Sequence, residues 1–147
     1  MPFVSEAQRR YLRLNEPAVY REFKRAEERG DLDLRPPATV AAAAKRGLEL
    51  RAEFNRGGTA VGVARARDLS NRRELSLETI KRMVAYFERH EIDLEAPAAK
   101  RGNPGYPSAG YIAWLLWGGD AGRTWARKII RQEARVRAAI ERKKEST

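Results

Sequence analysis

The chain has no cysteine and a single histidine, His90, among its 147 residues. The first absence excludes a disulfide scaffold, a thiolate zinc site and a cysteine nucleophile. The second excludes any centre built from several imidazoles. Long apolar runs are missing too. None approaches the roughly 20 residues that span a bilayer, and the amino-terminal stretch lacks the apolar core of a signal peptide. A soluble, cytosolic protein is therefore expected. Acidic residues are outnumbered: 20 Asp and Glu face 30 Lys and Arg, for a net charge of +10.

What is present suffices for one compact domain, or one domain with an appendage. Hydrophobic residues make up 42% of the chain, enough for a core, so general disorder is not expected. Arginine supplies far more of the positive charge than lysine, and its planar fork binds phosphate and carboxylate bidentately. The surplus is uneven. Residues 1–30 hold seven basic and five acidic side chains, residues 31–108 fourteen and eleven, and residues 109–147 nine and four. Half of the net charge thus lies in the last quarter of the chain.

The pattern reads as helix throughout, with no strand expected. Ser5 is placed to cap a first helix, and Asn15-Glu16-Pro17 has the grammar of a second helix start. Val19, Tyr20 and Phe23 would give that second helix a narrow apolar face, with Gly30 as its stop. Asp31 to Pro37 looks like a linker, because Leu32 and Leu34 alternate with charge and two prolines forbid helix. The expected organisation is a helical hairpin over 1–30, a linker over 31–38, a helical module over 39–122 and a basic helix over 123–147.

Within the module, small and apolar residues from Val40 to Phe54 recur at helical spacing. Thr59 caps a short helix to about Leu69, and Ser76 caps another from Leu77 to about Glu91. Ile80, Met83, Val84 and Phe87 form the expected buried stripe of the latter. Residues 95–108 hold three prolines and an Asn-Pro-Gly turn, marking an exposed connection. The segment from Tyr111 to Trp117 is apolar all round and too short to cross a membrane. Trp114 and Trp117 are therefore expected in a core or a protein contact.

The sharpest signal is the last helix. At about 100° per residue, Trp125, Ile129, Val136 and Ile140 share one arc, while Lys128, Arg131, Arg135 and Arg142 share a neighbouring one, with Arg127 beside it. Such a helix can pack by its seam and offer arginines to a phosphate backbone. It equally suits an acidic protein surface, or a plain solvated face. Only about two heptads exist and Gln132 interrupts them, so a coiled coil is poorly supported.

Two weaker signals accompany it. Arg72, Arg73, Lys81 and Arg82 flank a helix, turn and helix that could act as a helix-turn-helix reader, although the six-residue turn exceeds the usual three or four. Arg56-Gly57-Gly58-Thr59 before a capped helix could hold an anion, but lacks the Lys-Ser/Thr ending of a nucleotide loop. Catalysis has little behind it. His90 has Glu88, Glu91 and Asp93 near in sequence, but no nucleophile elbow or ligand cluster joins them. No enzyme activity, cofactor or metal is expected.

Two stretches carry a resemblance. Met1-Pro2-Phe3-Val4-Ser5-Glu6-Ala7-Gln8-Arg9-Arg10-Tyr11-Leu12 resembles the start of many short proteins of tailed bacteriophages and prophages. The run from Ala44 through Arg56-Gly57-Gly58-Thr59 to Leu69, continued by Leu75-Ser76, by Thr79 to Met83 and Phe87 to Glu91, and by Pro107 to Gly122, is similar to a module of phage proteins that often sits in, or is fused to, head-associated proteins of uncharacterised role. Its distinctive part is Trp114-Leu115-Leu116-Trp117-Gly118-Gly119-Asp120. Together these stretches cover about two-thirds of the chain. The resemblance implies a phage setting, in the host cytoplasm or the virion, and carries over no catalytic residue.

The expectation is an all-α, non-enzymatic, virion- or assembly-associated protein that contacts DNA or another phage structural protein through basic helices. A free DNA-binding regulator and an adaptor or inhibitor of an acidic host protein are the alternatives. A homo-oligomer is left open, and no membrane partner is expected.

Overall fold

The computed structural model describes residues 6–18, 20, 21, 24 and 32–145, and every regular element among them is helical. The Ser5 cap, the Val19 and Phe23 contributions to a second helix, and the Gly30 stop lie outside the described residues. Pro17, Ala18, Tyr20, Arg21 and Lys24 are helical, and six α-helices with defined ends among the described residues run in order: α1 (Glu6–Asn15), α2 (Ala38–Phe54), α3 (Ala60–Ser70), α4 (Leu77–His90), α5 (Ala109–Leu116) and α6 (Gly119–Glu145). Two 3₁₀ turns, Glu91–Glu95 and Pro97–Ala99, lead from α4 towards α5. The fold is an all-α bundle with one long basic carboxy-terminal helix.

Local chemistry sets the boundaries. Thr59, Ser76 and Ser108 each adopt extended backbone and accept a hydrogen bond from an N–H of the first turn, at Gly62, Thr79 and Tyr111 respectively. Each cap satisfies a donor that the helix itself cannot. Asn55 ends α2 in the left-handed conformation, which asparagine tolerates better than most residues. Asn15 ends α1, its side-chain amide donating back to the Tyr11 carbonyl at 3.1 Å.

Helix α2 lies at the centre, packing on α3, α5 and α6, while α4 packs mainly on α6. The core joins Val40, Ala44 and Leu50 of α2 to Ile80, Met83 and Phe87 of α4, Ile112, Trp114 and Leu116 of α5, and Trp125 and Ile129 of α6. Val84, expected in the stripe of α4, is only half-buried, and Tyr86 is buried instead. Phe87 meets Trp114 edge to face, with ring centroids 4.8 Å apart. The Trp114 indole N–H donates to Asp120 Oδ1 at 2.9 Å, which ties α5 to the first turn of α6. This bond gives a physical reason for the aspartate that follows the paired glycines.

Gly47 permits the close crossing of α2 and α5. A Cβ there would sit 2.7 Å from the Leu116 nitrogen and 3.0 Å from the Leu115 carbonyl carbon, both backbone atoms. Helices whose backbones touch in this way gain dispersion contacts and lose the option of a larger residue.

The stretch read as a linker is seated in the protein. Leu32, Leu34 and Pro36 are buried, while Asp33 and Arg35 point outward. The Leu34 carbonyl accepts from the Leu75 N–H at 3.0 Å, and the Pro36 carbonyl accepts from Arg72 Nε at 2.9 Å. The same alternation that suggested a linker is an extended strap with one face buried. Leu32 also joins Leu12 of α1 to Val136 and Ile140 of α6 in a small satellite cluster. Residues 95–105 are largely exposed, as expected of the connection, while Ala99 and Pro107 are buried.

Candidate functional site

Helix α6 turns its two arcs in opposite senses. Trp125, Ala126, Ile129 and Ile140 are buried, with Val136 half-buried against the satellite cluster. The seam is therefore consumed by the chain's own fold. Lys128, Arg131, Arg135 and Arg142 are all exposed, and none of them forms an ion pair with the described residues. From Lys128 to Arg142 the stripe spans about 21 Å of helix, at 1.5 Å per residue.

The other cations of α6 are engaged differently. Arg127 is half-buried at the edge of the stripe. Arg123 pairs with Glu91 at 3.4 Å and lies over the Trp114 ring at 5.4 Å. Arg137 binds the Glu133 carboxylate, whose side chain is buried in the seam. The helical repeat had left Arg137 off the basic arc, and its buried partner supplies the structural reason for it.

The four cations around the α3–α4 connection do not form one surface. Arg72 has a positive φ and is committed to the Pro36 carbonyl, and Arg73 lies 3.7 Å from Asp68. Lys81 and Arg82 are exposed on α4. Helix α3 packs on α2 and α5 and α4 on α6, so each has its main partner elsewhere rather than in the other, unlike the paired helices of a helix-turn-helix unit.

The Arg56-Gly57-Gly58-Thr59 turn has a steric reason for its glycines. Both have positive φ, and a Cβ on Gly57 or Gly58 would lie within 2.7 Å of Ile112 or Leu116 side-chain atoms. Arg56 is exposed over the Phe54 ring, at 5.4 Å from its centroid. The turn therefore seats α3 against α5, and Thr59 presents the amino end of α3.

That end opens onto a cleft of about 490 Å³ that sequence reasoning did not foresee. Gly58, Thr59 and Val61 form one side. Arg82, Ala85, Tyr86, Arg89 and His90 of α4 form the other. Ala113 and Trp117 close it on the α5 side, and Asp93 of the first 3₁₀ turn also lines it. Its wall is an aromatic stack. Tyr86 lies between Trp117 and His90, each ring centroid 4.6 Å away, with Trp117 within 9° of parallel. Arg65 sits over the Trp117 ring at 5.7 Å.

Three features of the polar groups stand out. Asp93 is occupied by His90, Oδ2 lying 2.9 Å from Nδ1. The Tyr86 hydroxyl is buried with no hydrogen-bond partner, and its burial raises the phenol pKa, with the nearby Asp93 adding to the effect. Burial also lowers the pKa of the Arg65 guanidinium; Asp68, at 3.6 Å, opposes that shift and Arg82 reinforces it. The one signal available in sequence was the placement of Arg82, Tyr86 and Arg89 on one side of α4, apart from the Ile80-Met83-Phe87 stripe.

Among the described residues no group of three His, Asp or Glu side chains could hold a metal ion, and no helix is long and apolar enough to cross a membrane. No protein-family profile, curated protein or solved structure matches the chain.

Proposed function

We propose that this is a non-enzymatic nucleic-acid-binding protein of a phage particle or its assembly, contacting the phosphate backbone through the exposed face of α6. The observation that carries the reading is the division of labour on that helix. Its apolar seam is filled from within, which leaves no hydrophobic stripe for a helical partner. Its outer face carries four arginine or lysine side chains without counter-ions among the described residues.

A linear array of cations suits a linear polyanion. Duplex DNA carries one phosphate per roughly 3.4 Å of each strand, so a 21 Å stripe runs alongside about six of them. The contacts are to the backbone and carry no sequence code. A free regulator would need side chains aimed at base edges, whereas Arg72 bonds the Pro36 carbonyl and Arg73 lies beside Asp68.

The test is the salt dependence of duplex binding. Four phosphate contacts give a slope of about −3.6 in log K against log salt, or a loss of about a hundredfold between 50 and 200 mM. Binding that ignores salt over that range would overturn the reading, and tight binding to an acidic protein instead of DNA would favour the adaptor alternative. Mass spectrometry of purified particles and assembly intermediates checks the phage setting, and absence from both would remove it.

A further inference from the structure

The cleft beside α3 is a separate matter from the α6 stripe, and its polar groups are unbalanced. Arg82 and Arg89 stand at its rim, seven residues apart on one side of α4, with no ion pair to the described residues. Opposite them is the amino end of an 11-residue helix. Thr59 Oγ1 caps the Gly62 N–H at 3.2 Å, leaving the Ala60 and Val61 N–H groups without intrahelical acceptors. The helix dipole adds partial positive charge there.

The wall contributes aromatic surface. Tyr86 is only 6% exposed, lines the cleft, and keeps a hydroxyl that nothing in the protein satisfies. That oxygen is itself buried, so the aromatic ring is what Tyr86 offers to the cleft. The ring edges of the Trp117-Tyr86-His90 stack carry positive potential too. The one carboxylate among the lining residues is already held by His90. Cationic and N–H donor groups thus outnumber carboxylates around this space.

Size narrows the ligand. The volume of about 490 Å³ is far more than an inorganic anion fills and lies in the range of small-molecule sites. The two arginines are about 10 Å apart along the helix axis, too far to grip one small anion between their bases. Val61, Ala85 and Ala113 supply apolar surface for an organic body. We infer that the cleft bounded by α3, α4 and Trp117 binds a phosphate monoester of nucleotide size, its phosphate between the α3 amino end and Arg82 or Arg89, its body against the aromatic wall.

The test titrates the full chain with deoxyadenosine 5′-monophosphate, with deoxyadenosine and with inorganic phosphate, followed by calorimetry and tryptophan fluorescence. Saturable one-to-one binding of the monophosphate is expected, with both fragments at least about tenfold weaker. Arg82→Gln and Arg89→Gln should each weaken it about tenfold, with the helical circular dichroism unchanged. Arg131→Gln/Arg135→Gln should leave it intact while weakening duplex binding, so failure here and failure of the duplex reading are seen separately. No saturation at millimolar ligand, inorganic phosphate binding as tightly as the monophosphate, or full affinity in the Arg82→Gln/Arg89→Gln protein would overturn the inference.

Discussion

Two cationic surfaces of this small protein are built on opposite plans. On α6 the charges repeat along an exposed line, each side chain on its own, over a seam buried in the core. At the cleft, charges from one helix, the amino end of another and a stack of aromatic rings converge on one volume. The first plan has translational freedom and suits a repeating polyanion. The second has depth and suits one discrete ligand. Net charge alone, +10 over the chain, would merge the two. What separates them is whether a cation shares its surroundings with aromatic rings and unsatisfied donors or stands alone in solvent.

The comparison is broken most severely by removing the ring that supports both surfaces. Trp114 is 2% exposed, packs on Phe87 and bonds Asp120 at the start of α6. Trp114→Ala should cost about 3–5 kcal/mol, measured as the shift in urea midpoint at unchanged m-value. Both surfaces should then lose definition together.

A smaller change separates two arginines of the same helix. Arg137 holds the buried Glu133 carboxylate, so Arg137→Ala should destabilise the fold by about 1–3 kcal/mol while leaving the salt slope of DNA binding alone. Arg135→Ala, two residues away and exposed, should do the reverse: little change in stability and a slope shallower by about 1.

Tyr86→Phe sharpens the account of the cleft because its sign is unusual. Deleting a buried hydroxyl that has no partner should stabilise the protein by about 1 kcal/mol in the absence of ligand, read from thermal unfolding. Destabilisation would mean that the hydroxyl is satisfied in solution.

The smallest effect is in alkali. Burial raises the Tyr86 and Tyr111 phenols in the folded state, with the Tyr106 hydrogen bond adding to the shift at Tyr111. A phenol whose folded pKa is raised favours the fold fully below its unfolded value of about 10, and that contribution is lost as pH rises through the folded value. Stability should therefore be insensitive to these groups below pH 10 and decline above it, with a smaller decline in Tyr86→Phe.

Much of the bundle was legible in sequence because its determinants are local. Thr59 and Ser76 bond their own first turns, and the Ile80-Met83-Phe87 stripe and the α6 seam follow the helical repeat, whereas the Ser108 cap was hidden in a stretch read as a connection. What escaped depended on tertiary placement. Leu32 and Leu34 alternate with charge whether solvated or buried, and only the Leu75 and Arg72 hydrogen bonds make that stretch a strap. The cleft draws on α3, α4 and α5, whose residues lie up to about 60 positions apart, so no local spacing could assemble Trp117 with Tyr86 and Gly58. The helical repeat already sets Arg137 off the basic arc of Arg135, but only the tertiary burial of Glu133 shows that Arg137 has a structural partner.

The central claim is that the two cationic surfaces are functionally distinct, and one titration addresses it directly. Duplex binding of the intact chain is measured from 50 to 200 mM salt beside Arg131→Gln/Arg135→Gln and Arg82→Gln/Arg89→Gln. The account predicts a slope of about −3.6 for the unaltered chain, shallower by about 2 in the first variant and unchanged in the second. Equal slopes in all three proteins, or a loss confined to the Arg82→Gln/Arg89→Gln variant, would contradict it.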